Sequence, residues 1–283
     1  MTISALAREP ALGPAEYKAV AEILHEATRI TLGEDKATLV QSRLGRRLRQ
    51  RGVAGFRDYL RLVQEDKEER ATMVAALTTN HTHFFRESHH FDHFRSEVLP
   101  ALKARATRRP LRLWSAGCST GEEVYSLAMS LLGESRGAAR WALEGDVKLL
   151  ATDISPPVVA ATAHGFYPQA DTSAVPPAYR DSWMDEAKGG LQMAPELREL
   201  VTARELNLFG AWPMKRRFDV IFCRNVMIYF DDSAKQELER RLVDQLHPGG
   251  TLYIGHSERL IGDARSVMEP CGHTIYRKRG ELP

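Results

Sequence analysis

Between residues 14 and 104 apolar side chains recur every three or four positions, in YKAVAEILHEATRI, ATLVQSRLGRRLRQR, FRDYLRLVQ and ERATMVAALTT, with almost no alternating runs. Side chains at that spacing share one face of a helix, so this third of the chain is expected to be a helical bundle. Gly33, Gly52 and Gly55 punctuate it, and Asp35 or Thr38 is the expected cap of its second helix. The basic, proline-ended ALKARATRRP then reads as a linker, because the pattern changes after it. Short β-rich runs alternate with helical ones from there: LRLWSA, a helix over 122–132, VKLLATD, a helix over 156–163, FDVIFCRN, a helix over 233–246, GGTLYIGH and HTIYRK. That alternation predicts an α/β fold, with a mostly parallel sheet covered by helices on both faces. The stretch from Gly165 to Val201, with Pro168, Pro176, Pro177 and Pro195, is too long for a simple connection and predicts a small inserted subdomain or a lid. The expected division is a helical domain over 1–100, a linker over 101–110 and the α/β domain over 111–283.

In an open α/β sheet, ligands bind beyond the carboxyl ends of the strands, near the point where strand order reverses. The first strand there ends in AGCSTGEE, which places two glycines and Glu122 at the start of a helix. The second ends in ATD, putting Asp153 where a carboxylate meets ribose hydroxyls, although a helix cap is an equally ordinary role for it. A third run ends in ELNLF and a fourth in CRNVMIYF, which brings Asn225 and Tyr229 over the same crevice. These residues describe a nucleoside site. The distance from Gly121 to Asp153 exceeds the roughly 20 residues of a dinucleotide fingerprint, and a third glycine is missing, so a pyrophosphate ligand is disfavoured.

The same GCSTG, residues 117–121, also fits the G-x-S-x-G turn of serine hydrolases. A triad would then need Ser119, Asp219 and His256, but Asp219 stands at the start of its strand, opposite the catalytic rim. A second unusual stretch is LTTNHTHFFRESHHFDHF. Its five histidines, with His89 and His93 four apart, invite a metal reading, yet neither Glu87 nor Asp92 shares their face, and hydrogen-bonded interface histidines explain it equally well. No metal is expected. Phe84, Phe85 and Phe91 read as packing, whereas Asn80, Thr82 and Arg86 form a polar set suited to closing over a ligand.

Composition narrows the classes further. A net charge of +2 over 283 residues is too small for a bulk nucleic-acid binder. Three cysteines without C-x-x-C spacing argue against a disulfide framework or a cysteine zinc site, and hence for a reducing compartment. No apolar run reaches the roughly 18 residues needed to span a bilayer, and the first residues lack a signal-peptide core, so a cytoplasmic protein without membrane insertion is expected.

LTTNHTHFFRESHHF, WSAGCSTGEEVYSLAM, ATDIS, FDVIFCRNVMIYFD and HPGGTLYIGHSE, in this order, closely resemble the bacterial chemotaxis receptor glutamate methyltransferases, and the likeness runs from Lys36 to Lys278. The resemblance implies a helical N-terminal domain packed on a Rossmann-like methyltransferase domain with a small β-subdomain. It implies S-adenosylmethionine as methyl donor, S-adenosylhomocysteine as product, and glutamates of a chemoreceptor's cytoplasmic helical domain as acceptors. By motif, Asn80, Thr82, Arg86, Glu122, Asp153, Asn207, Leu208, Arg224 and Asn225 would line the cofactor pocket, and Tyr229 and Arg86 would stand at the transferred methyl group. Ser119 is then no nucleophile. Val124, where many members carry proline, departs from the pattern without touching the chemistry. The 165–201 insert corresponds to the family's β-subdomain in position but matches less well in sequence, which leaves docking of a receptor tail peptide open. A non-catalytic scaffold of the same fold, sensing adenosylmethionine or binding receptors, is the rival in another class; the intact set of site residues argues against it.

Arg43, Arg46, Arg47, Arg49 and Arg51 crowd into nine residues of one helix. Arg43, Arg47 and Arg51 recur at four-residue intervals with Arg46 beside them, so a positive stripe is expected, suited to a glutamate-rich helical substrate. A solvated helix face is the plainer reading.

Overall fold

A computed structural model describes residues 10–281 of the chain. Contacts divide it into two compact units, Met1–Thr79 and Asn80–Pro283.

The first unit consists, in its described part, of α1 (Pro14–Thr28), α2 (Ala37–Arg51), α3 (Phe56–Glu65) and α4 (Lys67–Leu77). Their apolar stripes meet in a core that includes Leu24, Val40, Leu44, Leu48, Tyr59 and Met73. Neither expected cap serves α2. A tight turn over Glu34–Lys36, closed by the Lys36 amide on the Gly33 carbonyl, runs straight into the helix, so Asp35 lies before it and Thr38 inside it. Gly52 ends α2 in the left-handed region (φ 65°), where glycine carries no Cβ penalty.

The arginines of α2 do not form a free stripe. Arg43 donates to the Leu77 and Thr78 carbonyls at the end of α4, at 3.0 and 2.8 Å, a favourable place for a cation. Arg47 pairs with the buried Glu69 through two hydrogen bonds of 3.0 and 2.6 Å, and Arg51 pairs with Asp66 at 3.0 Å. The four-residue spacing that puts these three on one side aims them at α4, while Arg46, one position off, is exposed.

The second unit begins with a continuous helical run: α5 (His89–His93), a π turn over Phe94–Val98, and α6 (Leu99–Ala106). Here the structure departs from the expected division. Phe91, Phe94, Val98 and Leu102 join the same core as Leu111, Leu113 and Leu127, so the run belongs to the second unit, and most of the expected linker is helix. Helical periodicity shows that a face is buried without showing which core receives it. After it come β1 (Leu111–Ala116), α7 (Glu122–Leu132), α8 (Arg136–Leu143), β2 (Val147–Asp153), α9 (Pro156–His164), β3 (Phe166–Pro168), α10 (Pro177–Trp183), β4 (Met184–Ala187), β5 (Gly190–Met193), α11 (Pro195–Leu200), β6 (Val201–Glu205), β7 (Phe218–Cys223), α12 (Asp232–Gln245), β8 (Leu246–Ile254), β9 (Met268–Gly272) and β10 (Ile275–Lys278).

Seven strands form one sheet in the order β6-β2-β1-β7-β8-β10-β9. The first five run parallel, and β10 pairs antiparallel with both neighbours. Central strands are buried on both faces and mostly apolar: every residue of β7 is buried, Asp219 being its one charged member. The 165–201 insert contains a three-stranded antiparallel sheet, β3-β5-β4, together with α10 and α11.

Candidate cofactor site at the switch point

From β1 the chain builds outward to β2 and β6, then returns to place β7 on the other side, so strand order reverses between β1 and β7. The loop over 117–121 leaves β1 at that point. Gly117 (φ 80°), Ser119 (φ 49°) and Gly121 (φ 100°) are all left-handed. Gly117 and Cys118 donate their amides to the Thr152 carbonyl at 2.8 and 2.9 Å, and Ser119 donates its own to Asp153 Oδ2 at 3.0 Å. A Cβ on Gly117 would stand 2.5 Å from Val226, and one on Gly121 would stand 2.8 Å from the Tyr167 hydroxyl. Both glycines are therefore required by packing as well as by φ.

No triad is assembled around Ser119. Its hydroxyl donates to the Asn80 carbonyl at 3.0 Å. His256 stands instead between Glu87 Oε1, 2.9 Å from Nδ1, and the Ser257 hydroxyl, 2.8 Å from Nε2. Asp219, second in β7, takes Arg105 and the Arg112 amide at the far end of the strands, each at 2.8 Å.

Two carboxylates face the crevice. Asp153 ends β2 and accepts the amides of Ser155 and Ser119, both at 3.0 Å, so it does hold the start of α9. Burial pushes its pKa up against the pull of these amides. Glu122 opens α7, is 7% exposed, and accepts a hydrogen bond from Thr120 at 2.7 Å. Burial pushes its pKa up too, and no cation pairs with it among the described residues.

The segment before α5 makes a strained turn. Phe85 (φ 53°) and Glu87 (φ 57°) flank Arg86, each at a cost of about 1–2 kcal/mol for a non-glycine residue. The Phe85 amide is held by the Ser126 hydroxyl at 2.9 Å, and Arg86 donates to the His81 carbonyl at 3.0 Å. Arg224 and Asn225 follow β7. The Arg224 guanidinium is not open to the crevice: it is buried against Phe91 and Phe222, lies 3.2 Å from Glu87 and 3.3 Å from Glu123, and donates to the Arg86 carbonyl. Asn225, also left-handed (φ 59°), donates its side-chain amide to Glu87 at 3.1 Å and its backbone amide to Glu258 at 3.1 Å. Asn207 and Leu208 follow β6, with Asn207 Oδ1 accepting the Phe209 amide at 2.9 Å and Leu208 buried. Tyr229 ends a short turn after β7 and is half-buried, as are Asn80 and Thr82.

The expected pocket residues thus stand at the carboxyl ends of β1, β2, β6 and β7 and in the segment before α5, whereas Arg43, Arg46, Arg47 and Arg51 lie in the other unit. Sequence reasoning missed three carboxylates packed behind these residues, Glu87, Glu123 and Glu258. Glu123 takes the Ser115 hydroxyl at 2.7 Å and Arg224, and Glu258 collects the amides of Gly255, Asn225 and Ile228. A signal was present in that each adjoins a motif residue, but nothing in the pattern says that its side chain turns inward. The histidines serve packing: His89 and His90 bond the His273 carbonyl, His90 also Thr274, and His93 the Tyr253 hydroxyl.

The chain matches the family described as CheR methyltransferase, SAM binding domain, over residues 80–277, and CheR methyltransferase, all-alpha domain, over residues 15–78. It is 42% identical over 262 residues to a probable chemotaxis protein methyltransferase of Rhizobium etli, covering 90% of this chain and 96% of that one. It is 38% identical over 268 residues to chemotaxis protein methyltransferase 2 of Pseudomonas aeruginosa, covering 92% of each. With the chemotaxis protein methyltransferase of Escherichia coli it shares 38% identity over 279 residues, 94% of this chain and 91% of that one. The pocket chemistry fits S-adenosylmethionine. Glu122 is a buried carboxylate with no cation beside it among the described residues, which an α-ammonium group would supply, and Asp153 keeps lone pairs that ribose hydroxyls would use beyond its two amide bonds. On these matches, spanning both units, the chain belongs to the CheR family of S-adenosylmethionine-dependent chemotaxis methyltransferases.

Proposed function

We propose that this chain methylates glutamate carboxylates in the cytoplasmic helical domain of a chemoreceptor, giving neutral methyl esters. The observation that carries the reading is the extent of the match: relatives named chemotaxis protein methyltransferase align over 90% or more of both chains, the helical unit included. A bare cofactor-binding fold would not require that unit, so it is the natural place for recognising a substrate.

S-adenosylmethionine, when bound, supplies a sulfonium methyl group to an attacking carboxylate. An acceptor glutamate is already ionised at neutral pH, so the protein need not take a proton from it. Opposite charges disappear along such a path, and a site of low polarity favours it. The chain's own contribution is alignment and exclusion of water, which is worth roughly 7–11 kcal/mol at best. Glu122 binds the ammonium end, Asp153 binds the ribose, Asn80, Thr82, Asn207, Leu208 and Asn225 complete the walls, and Arg86 and Tyr229 orient the reacting groups. The three-stranded β3-β5-β4 sheet leaves an open edge on β3 and on β4 for a receptor tail peptide to extend.

The test is transfer of labelled methyl from S-adenosylmethionine to a purified receptor cytoplasmic fragment, followed by mild base. Base-labile label on glutamates is the expected result. Tight S-adenosylhomocysteine binding without transfer would favour the scaffold.

A further inference from the structure

We infer that Glu87 is a positioning residue for the cofactor pocket, its one carboxylate fixing the Arg86 turn against the ends of β7 and β8. This deepens the site described above and rests on that pocket assignment. Oε1 accepts from Asn225 Nδ2 at 3.1 Å and from His256 Nδ1 at 2.9 Å. Oε2 stands 3.2 Å from the Arg224 guanidinium and 3.4 Å from His90 Nδ1. One side chain thereby joins three segments that are distant in sequence: the turn before α5, the end of β7 and the end of β8.

What those segments carry gives the contact its weight. Arg86 is held between two left-handed residues, Phe85 and Glu87, and Asn225 is left-handed as well. Strained turns of this kind persist only where surrounding contacts over-determine them, and the Glu87 carboxylate links the two turns directly. Arg224 closes the loop by donating to the Arg86 carbonyl. Burial works against ionisation of Glu87, but Arg224 beside it, with the bonds from His256 and Asn225, outweighs burial and holds its pKa down at about 2. Its negative charge is therefore present throughout the neutral range, opposite a cation buried against two aromatic rings.

Glu123 provides an internal comparison. It touches the same guanidinium through the other terminal nitrogen, at 3.3 Å, yet among the described residues its side chain's one other bond is to Ser115 in β1. It reaches neither the Arg86 turn nor Asn225. If Glu87 acts by bridging segments, its loss should be felt in the pocket, and loss of the Glu123 charge should not.

The experiment compares the parent full-length protein with Glu87→Gln and Glu123→Gln, reading S-adenosylhomocysteine affinity by calorimetry and the Michaelis constants for S-adenosylmethionine and for a receptor fragment. Glu87→Gln is expected to weaken S-adenosylhomocysteine about tenfold or more and to raise the donor's constant in parallel, while the receptor's constant stays within about twofold. Glu123→Gln is expected to remain within about threefold of the parent in every reading. Undiminished affinity in Glu87→Gln, or an equal loss in Glu123→Gln, overturns the inference while the pocket stands. Failure of the parent to bind S-adenosylhomocysteine overturns the pocket and the inference together. Should Glu87→Gln not fold, His256→Ala cuts one link from an exposed side chain without stranding a buried cation. It is then expected to weaken S-adenosylhomocysteine about threefold, and unchanged affinity overturns the inference.

Discussion

The Ser119 amide donates to Asp153 Oδ2 at 3.0 Å, so the loop after β1 is tied to the carboxylate that ends β2. Asp153 thus shapes the loop and still has lone pairs for a ribose. Asp153→Ala should weaken S-adenosylhomocysteine by about 1.5–3 kcal/mol, the scale of bonds to a charged group, measured by calorimetry. Ser119→Ala removes only a hydroxyl bonded to the Asn80 carbonyl and should keep most of the turnover. Abolished turnover with intact binding in Ser119→Ala would return the nucleophile to consideration.

Tyr229 ends the short turn just beyond β7 and is half-buried, and the role proposed for its hydroxyl is to orient the reacting groups. A contact made chiefly in the transition state shows in the rate rather than in ground-state binding. Tyr229→Phe should therefore lower single-turnover methyl transfer more than it lowers S-adenosylhomocysteine affinity. An unchanged single-turnover rate removes the hydroxyl from the mechanism.

Strand ends were legible in the sequence because a parallel sheet writes its apolar runs and their polar stops plainly: Ala116, Asp153 and Cys223 close β1, β2 and β7 where the pattern breaks. The domain boundary was not, because the 89–106 helices carry the same period as those before them while Phe91 and Phe94 pack into the other unit's core. α8 escaped because it is short and its buried face consists of small residues, Ala139 and Ala142, and β9 because MEPCG carries a central proline. The site's charged interior was hidden for a different reason. Arg224 was expected to line the pocket and Glu87 and Glu123 were assigned no place in it, and only the fold shows that the three lie together out of water.

His90 is fully buried, 3.0 Å from Thr274 Oγ1. Burial above all, then Arg224 and His89, lowers its pKa from 6.5 to about 3, with Glu87 pulling the other way. Below pH 6.5 the unfolded chain takes a proton that the folded chain refuses, so the stabilisation present above 6.5 is lost progressively as pH falls towards 3. The slope from this one group approaches about 1.4 kcal/mol per pH unit. Glu87, held at about 2, adds the same sign only below the ordinary glutamate value of 4.5. Glu122, Glu123, Asp153 and Glu258, whose pKa values are raised, act in the opposite sense, so the informative quantity is the difference between variant and parent. Urea unfolding at pH 7, 6 and 5 should show His90→Gln losing less stability with acid than the parent. Parallel curves would mean that His90 accepts its proton in the folded state.

The arginines of α2 separate into structural and exposed members, and this divides their expected phenotypes. Arg47→Ala leaves Glu69, which is 2% exposed, with only Tyr59 and Arg51 to answer its charge. Stranding a buried carboxylate in this way should lower stability by about 3 kcal/mol in urea unfolding. Arg46 is exposed, so Arg46→Ala should change stability by no more than about 0.5 kcal/mol. If the helix meets a glutamate-rich receptor, Arg46→Ala should instead raise the Michaelis constant for receptor and flatten its dependence on salt, because a rim charge acts through steering that ions screen. S-adenosylmethionine affinity should stay at the parent value in Arg46→Ala. Receptor kinetics and salt response equal to the parent's would leave α2 a structural helix, its basic character spent on α4.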